Sequence, residues 1–490
     1  MSTGHGAEGE IYPRDRLFIG GDWAKPSSSE RLAVVSPHTE EPIAEVPSAD
    51  RADIDAAVLA ARDAFDHGPW PTLEPAERIA AVQALIAEYD QHRDALAATI
   101  TAETGAPITF ATRAQVGLPR AMMGAFLDIA AGFAWQEERP GVFGPAVTVR
   151  HEPLGVAAAV VPWNMPQFLS VTKVIPALLA GCTVILKPAP EAPLNALLLA
   201  ELARRAGLPP GVFNVVPADR RVSAYLVGHP GVDKVSFTGS TAAGRHVAAA
   251  CAQNLTRISL ELGGKSAALV LDDADPAAAA SAVRLSAIGM AGQFCNALTR
   301  VLVPADQLDA HTQALVEVMD RTVVGDPREP QTQMGPVISR RQQRRVWSYI
   351  RGGEQEGARL ATGGTGRPSG INRGWFVRPT VFTNVDNTMT IAREEIFGPV
   401  MCVIPYRDES EAVDIANDSD YGLAGSVFTA DRSRGLDIAS RVRTGTFGVN
   451  QGYSMDPSAP FGGVKGSGYG RELGPEGLDG YLYTKSISLA

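Results

Sequence analysis

Between residues 154 and 261 the chain alternates five short apolar runs with segments of helical length, and this alternation restricts the available folds more than any other feature. Residues 154–161, 183–187, 212–216, 234–237 and 257–261 are short and β-rich enough to be strands. Residues 167–180 and 194–206 have helical length and stop at Gly181 and Gly207, the residue type that closes helices in the left-handed conformation. Parallel strands require crossover connections, and the crossing helices bury both faces of the sheet. The pattern predicts an α/β fold with a helix-covered parallel sheet, for which a dinucleotide-type domain is the natural candidate.

Upstream, residues 53 to about 105 read as helices. Ile54, Val58, Ala61 and Phe65, then Ile79, Val82, Leu85, Ile86 and Tyr89, recur at helical spacing until Gly105 and Pro107 supply a stop. A second strand–helix stretch, about residues 267–461, follows without a low-complexity linker, which places a domain boundary at a continuous strand or turn near Gly263 and Gly264. The alanines at 277–280 read as helix, and no repeat of fixed period is present. A chain of 490 residues favours more than one domain, and 45% hydrophobic with 20% charged residues confines expected disorder to the ends.

Lys and Arg total 44 against 54 Asp and Glu, a net charge of −10 that repels phosphate backbones, so nucleic acid is not an expected partner. The apolar stretch at 174–186 is broken by Pro176 and Gly181 and falls short of the roughly 20 residues a membrane helix needs. The N-terminus through Arg16 mixes charges with glycine and has no apolar signal region, so the expected location is cytoplasmic. Cys182, Cys251, Cys295 and Cys402 are scattered without CxxC spacing, which suits a reducing compartment and predicts no metal site.

Four segments carry candidate chemistry. Gly292-Gln293-Phe294-Cys295-Asn296 sets a cysteine shortly after a glycine at a helix end, a setting that describes a buried thiol as well as a nucleophile. Cys182, Cys251 and Cys402 have apolar neighbours and read as core. Glu261 ends a strand before Gly263, Gly264 and Lys265; strand C-termini are where open α/β sheets place ligands, and an ion pair with Lys265 is the alternative. Pro162-Trp163-Asn164-Met165-Pro166 fixes an amide between prolines, either to donate to a developing oxyanion or to make an Asx-turn. Phe237-Thr238-Gly239-Ser240 leads from a strand into a helix and offers backbone N–H groups to a phosphate, without the lysine of a P-loop.

Together these segments resemble the aldehyde dehydrogenase superfamily, over nearly the whole chain from about Leu17 to Leu489. The PWN, KP, FTGS, ELGGK, GQxC, EExFGP and PFGG signatures occur in family order. The resemblance implies a Rossmann-like NAD(P)-binding domain from residues 1–134 and 152–262, an α/β catalytic domain over 263–463, and a small β oligomerisation flap from 135–151 and 464–490. It also implies an aldehyde oxidised to a carboxylic acid. Cys295 would be the nucleophile, Glu261 the base that activates water against the thioester, and Asn164 with the Cys295 N–H the oxyanion donors, while Lys173 and Glu472 assist proton movement. Retention of Glu261 favours hydrolysis over acyl transfer to coenzyme A, a branch that typically lacks this glutamate.

For the cofactor, the resemblance implies Val161, Trp163, Lys187, Gly239, Ser240, Glu395 and Phe397. NAD-preferring relatives often carry glutamate three residues after the lysine; here Pro190 stands in that place, with Glu191 beside it. NAD is the expected cofactor, with NADP left open. By position Met165, Phe168, Thr172, Phe294, Asn296, Met455 and Phe461 would line the aldehyde tunnel. They are mostly apolar with no Arg or Lys, and Thr172 replaces a bulkier aromatic, which points to an apolar aliphatic, terpenoid or aromatic aldehyde rather than a substrate with a distal carboxylate. A semialdehyde or betaine-aldehyde-type dehydrogenase is the alternative, followed by a cysteine hydrolase and a non-catalytic binding protein on the same scaffold. The strand-like run at 481–489 and the 135–150 region resemble the family's oligomerisation flap, and an unpaired strand there predicts a homodimer or homotetramer.

Overall fold

The computed structural model describes residues 11–452 and 455–488. The five predicted strands form the parallel centre of an eight-stranded sheet, in the spatial order Arg257–Glu261, Lys234–Thr238, Val156–Val160, Thr183–Lys187 and Phe213–Val215. Leu17–Ile19 and Asp22–Ala24 extend one edge antiparallel, and Gly468–Tyr469 from the far end of the chain closes the other beside Glu261.

The crossover helices Pro166–Ala180 and Leu194–Arg205 cover the sheet. Every residue of the first is buried, and it stops at Gly181, whose φ of 94° no side-chain-bearing residue adopts readily. The upstream segment forms Arg51–Asp66, Pro75–Gln91 and Arg93–Thr104, the last stopping at left-handed Gly105.

A second, seven-stranded sheet follows the order Arg359–Thr362, Thr380–Thr383, Val400–Tyr406, Arg300–Pro304, Ala267–Val270, Ala424–Phe428, Thr446–Val449. All its pairings are parallel except the first. The chain passes from one sheet to the other between Glu261 and Ala267, through Gly263 and Gly264. The expected alanine helix is Pro276–Ile288, and Cys182, Cys251 and Cys402 are buried.

The C-terminal strand differs from expectation. Leu482–Ser488 is paired along its length with Ala146–Pro153, which pairs in turn with Gln136–Pro140, so only one edge of Leu482–Ser488 is open. Its expected last residue, Leu489, lies outside the described residues. Among the described residues no helix is long and apolar enough to cross a membrane.

Candidate active site

Cys295 lies where three chain segments meet, and glycines make the meeting feasible. A Cβ on Gly264 would stand 2.2 Å from the Cys295 carbonyl oxygen, and one on Gly263 would stand 2.5 Å from the Glu395 carboxylate. Glu395 accepts from the Gly264 N–H at 3.1 Å. The pair of glycines after Glu261 is therefore required by close approach. Upstream of the cysteine the helix ends at Ile288, and Met290, Ala291 and Gly292 follow with φ of 45°, 51° and 72°. The expected simple helix end is instead a 3₁₀ turn with successive left-handed residues, a strained conformation that surrounding contacts must hold.

Asn164 does not form an Asx-turn. Its side-chain amide donates to the Gln293 carbonyl at 2.8 Å, while the Gln115 amide donates to the Asn164 carbonyl at 2.8 Å. Gln293 itself donates to the Met290 carbonyl and accepts from the Ile338 N–H. The Cys295 thiol is half-buried and hydrogen-bonded by the N–H groups of Asn296 and Cys295. Burial, with the carboxylates of Glu395 and Glu261, pushes it up to about 12, so the resting group is the neutral thiol.

Glu261 is buried, and neither of its carboxylate oxygens has a hydrogen-bond partner; nor has the Lys265 ammonium, so the ion pair between them is absent. Burial first, then the Glu472 charge, raise Glu261 well above the usual carboxylate range, against the lowering effect of Lys173 and Arg471. Lys173 and Glu472 form a buried ion pair. The Thr172 hydroxyl donates to the second Glu472 oxygen at 3.0 Å, so this side chain belongs to the same polar cluster.

A groove of about 1100 Å³ opens at Cys295 and runs past Trp163, Asn164, Gly239, Ser240, Glu395 and Phe397. Ser240 caps the 13-residue helix Thr241–Gln253, accepting from Ala243 N–H at 3.3 Å, so the positive end of that helix faces the groove. The buried Thr238 hydroxyl there has no partner in the protein. Trp163 and Phe397 meet edge to face at 5.5 Å, and Glu395 is raised by burial to about 7. Val161 and Lys187 lie outside the lining; the Val161 N–H donates to the Lys187 carbonyl at 3.1 Å, and burial lowers the Lys187 ammonium to about 8 against Glu191 and Asp219.

Met165, Phe168, Phe294 and Phe461 belong to one apolar cluster, against which Cys295 and Met455 pack. Asn296 is buried beside the thiol. The cysteine thus stands between an elongated polar groove and an apolar cluster.

A family-wide sequence profile described as the aldehyde dehydrogenase family matches residues 23–487. The chain belongs to the aldehyde dehydrogenase family. It is 45% identical over 473 residues to a geranial dehydrogenase of Castellaniella defragrans, covering 96% of this chain and 98% of that one. An aldehyde dehydrogenase of Mycobacterium tuberculosis, solved in complex with NAD+, matches with a TM-score of 0.95 and 47% identity over 97% of this chain and 98% of that one. A mutant of aldehyde dehydrogenase C from Pseudomonas syringae, solved with NAD+ and octanal, matches with a TM-score of 0.94 and 42% identity over 97% and 96%.

Within this aldehyde dehydrogenase fold, several groove residues escape sequence reading. Gln342 donates to the Phe397 carbonyl at 2.7 Å, and Arg345 donates to the Glu395 carbonyl at 2.8 Å. Arg341 lines the same groove and faces Glu191 at 3.8 Å. A signal for them exists: four arginines open the helix Arg340–Gln355, at the end where the helix dipole disfavours cations.

Proposed function

We propose that the protein oxidises an apolar aldehyde to its carboxylic acid with NAD+ through a thioester on Cys295. The observation that carries this reading is the position of Cys295, open to the groove on one side and packed against the apolar cluster on the other. NAD+ would supply the hydride acceptor. The residues present fit it: the helix opening at Ser240 offers N–H groups to a pyrophosphate, the unpaired Thr238 hydroxyl lies beside them, and Glu395 in the groove lining would hold a ribose.

The Cys295 sulfur attacks the aldehyde carbon as its proton passes to Glu261, which gives that proton up before the next use of the carboxylate. The Asn164 amide and the Cys295 N–H stabilise the oxyanion of the thiohemiacetal. Loss of hydride leaves the thioester. Glu261 then takes a proton from water as the water oxygen bonds to the thioester carbon; the C–S bond breaks, and the leaving sulfur takes the remaining water proton to restore the thiol, so the product leaves as carboxylate. A raised Glu261 suits this task, because a general base works best with a pKa near the working pH.

Met165, Phe168, Phe294, Met455 and Phe461, with Asn296, would line the substrate path and accept an aliphatic, terpenoid or aromatic chain. The relatives named for geranial and crystallised with octanal support that class. Val142 and Phe143, exposed on the turn between Gln136–Pro140 and Ala146–Pro153, and the open edge of Leu482–Ser488 support assembly as a homodimer or homotetramer.

The test is an aldehyde panel with NAD+ and NADP+, followed by absorbance of the reduced nicotinamide. Geranial-like and medium-chain aldehydes are expected to be the best substrates, and Cys295→Ala to abolish turnover. Full activity in that variant would overturn the mechanism, and best activity on short semialdehydes would overturn the substrate class. Sedimentation showing only monomer would overturn the assembly.

A further inference from the structure

Strands at the centre of a parallel sheet are buried on both faces and are normally apolar throughout. Lys234–Thr238 departs from this. Lys234, Ser236 and Thr238 alternate with Val235 and Phe237, so the three polar side chains share one face. All three are buried. On the neighbouring strand Ser259 and Glu261 pair with Ser236 and Thr238 in register, which gives that strand a matching polar face. The stripe spans roughly 13 Å, at about 3.3 Å per residue, from Glu261 at one end of the strands to Lys234 at the other.

Three of its members, Ser236, Lys234 and Ser259, are hydrogen-bonded. The Ser236 hydroxyl donates to Glu472 Oε1 at 3.5 Å, and Glu472 is ion-paired with Lys173. Burial raises the pKa of the Tyr481 hydroxyl, and Ser236 acts to lower it. The Lys234 ammonium donates to Ser259 Oγ at 2.6 Å and lies 5.6 Å from the centre of the Tyr481 ring. Lys234 and Ser259 also line a second cavity, of about 540 Å³, bordered by the exposed residues Arg257, Asp479 and Tyr483. That cavity shares no lining residue with the groove at Cys295.

We propose that this stripe carries the proton collected by Glu261 out to the second cavity, with Lys234 as its outlet. The proposal rests on the reading of Glu261 as the base that activates water. In deacylation an O–H bond of water breaks as its oxygen bonds to the thioester carbon, and that proton goes to Glu261; the C–S bond breaks, the second water proton restores the Cys295 thiol, and the product leaves as carboxylate. From Glu261 the first proton reaches Glu472, whose charge Glu261 feels. Each of Ser236 and Ser259 accepts one proton and releases another, so neither changes its charge. Lys234 releases one proton to solvent in the cavity and regains one from Ser259. The outlet cavity is separate from the groove at Cys295, so a bound dinucleotide need not block proton release.

Lys234 is the group of this relay that must exchange its proton with solvent. It faces Cys182, Glu472, Lys173, Arg257 and Tyr481, and burial lowers it to about 8, so it can both hold and release a proton near neutrality. An arginine in its place would keep the charge and the donors but could not release the proton.

Hydrolysis of a nitrophenyl ester without dinucleotide isolates acylation and deacylation of Cys295, with the nitrophenolate burst reporting the first and the steady state the second. The variants are Lys234→Ala, Lys234→Arg and Ser236→Ala. The expected result is an undiminished burst with steady-state turnover reduced about tenfold or more, against the 10²–10⁴ a general base itself contributes. Small primary amines added to Lys234→Ala should restore turnover in order of their basicity, and Lys234→Arg should stay slow. Wild-type turnover in Lys234→Ala and Ser236→Ala, or full recovery in Lys234→Arg, would overturn the route while leaving Glu261 as base. A Glu261→Gln enzyme that deacylates normally would overturn the underlying reading instead.

Discussion

The side-chain amide of Asn164 donates to the main-chain carbonyl of Gln293, 2.8 Å away and two residues before Cys295. One amide hydrogen is thereby used to fix the group, and the other is free to meet an oxyanion without reorganisation. Asn164→Ala removes that donor. We expect kcat to fall about 10²–10³-fold, with little change in dinucleotide affinity, measured by steady-state kinetics and fluorescence titration. An unchanged kcat would remove Asn164 from the oxyanion role.

The buried pair Lys173 and Glu472 acts on Glu261 with opposite signs. The Glu472 charge raises Glu261 and the Lys173 charge lowers it. The base form of Glu261 exists only above its folded pKa, so the deacylation rate climbs with pH through that value. Glu472→Gln removes a raising charge and should move the acidic limb to lower pH. Lys173→Met removes a lowering charge and should move the limb to higher pH. Ester hydrolysis followed from pH 5 to 10 checks both, and a common direction would show that the charges act otherwise.

The extent to which this site is legible in the sequence follows from the range of the forces involved. Strand 183–187 and strand 257–261 can be bounded to the residue, because β-rich runs flanked by glycine and turn residues are local signals. The groove residues Trp163, Asn164, Ser240, Cys295, Glu395 and Phe397 come from signatures that close approach constrains, as the collision at Gly264 shows. The Glu261–Lys265 ion pair fails because its two groups, four residues apart in sequence, are each buried without the other. Gln115, Gln293 and Arg341 act through partners 49, 129 and 150 residues away, and no local pattern reports such distances. The polar face of Lys234–Thr238 is visible as an alternation, yet only the fold reveals that it is buried between Glu261 and a second cavity.

Gly292 tests whether the strained turn positions the thiol. Its φ is 72°, and a Cβ would stand 2.3 Å from the Gly398 carbonyl oxygen. Gly292→Ala should cost about 1–3 kcal/mol from backbone strain, with the collision adding to it. Gly207 is the control, since its φ of 76° is similar but nothing lies within 4 Å. Denaturant melts should show both variants destabilised, while only Gly292→Ala loses the acylation burst. An intact burst in Gly292→Ala would mean that the turn does not position Cys295.

Cofactor choice turns on Glu191 and Arg341. Pro190 cannot accept from ribose hydroxyls, and Glu191 beside it points toward the Arg341 guanidinium at 3.8 Å. Arg341 is 88% exposed on its side chain and lines the groove, and among the described residues Glu191 is its ion-pair partner, so Glu191 competes with a 2′-phosphate for its charge. Glu191→Gln should therefore raise kcat/KM for NADP relative to NAD by about two- to fivefold, the scale of an exposed charge interaction of ~0.5–1 kcal/mol. Arg341→Ala should lower the same ratio, and in the double variant the gain from Glu191→Gln should vanish, because the group it releases is gone. The gain should also shrink between about 0.05 and about 0.5 M salt, since the Debye length that screens exposed charges falls from roughly 14 Å to roughly 4 Å. Direct titration with each dinucleotide separates binding from turnover. A gain that survives loss of Arg341 would show that Glu191 disfavours the phosphate by its own charge rather than by holding the arginine.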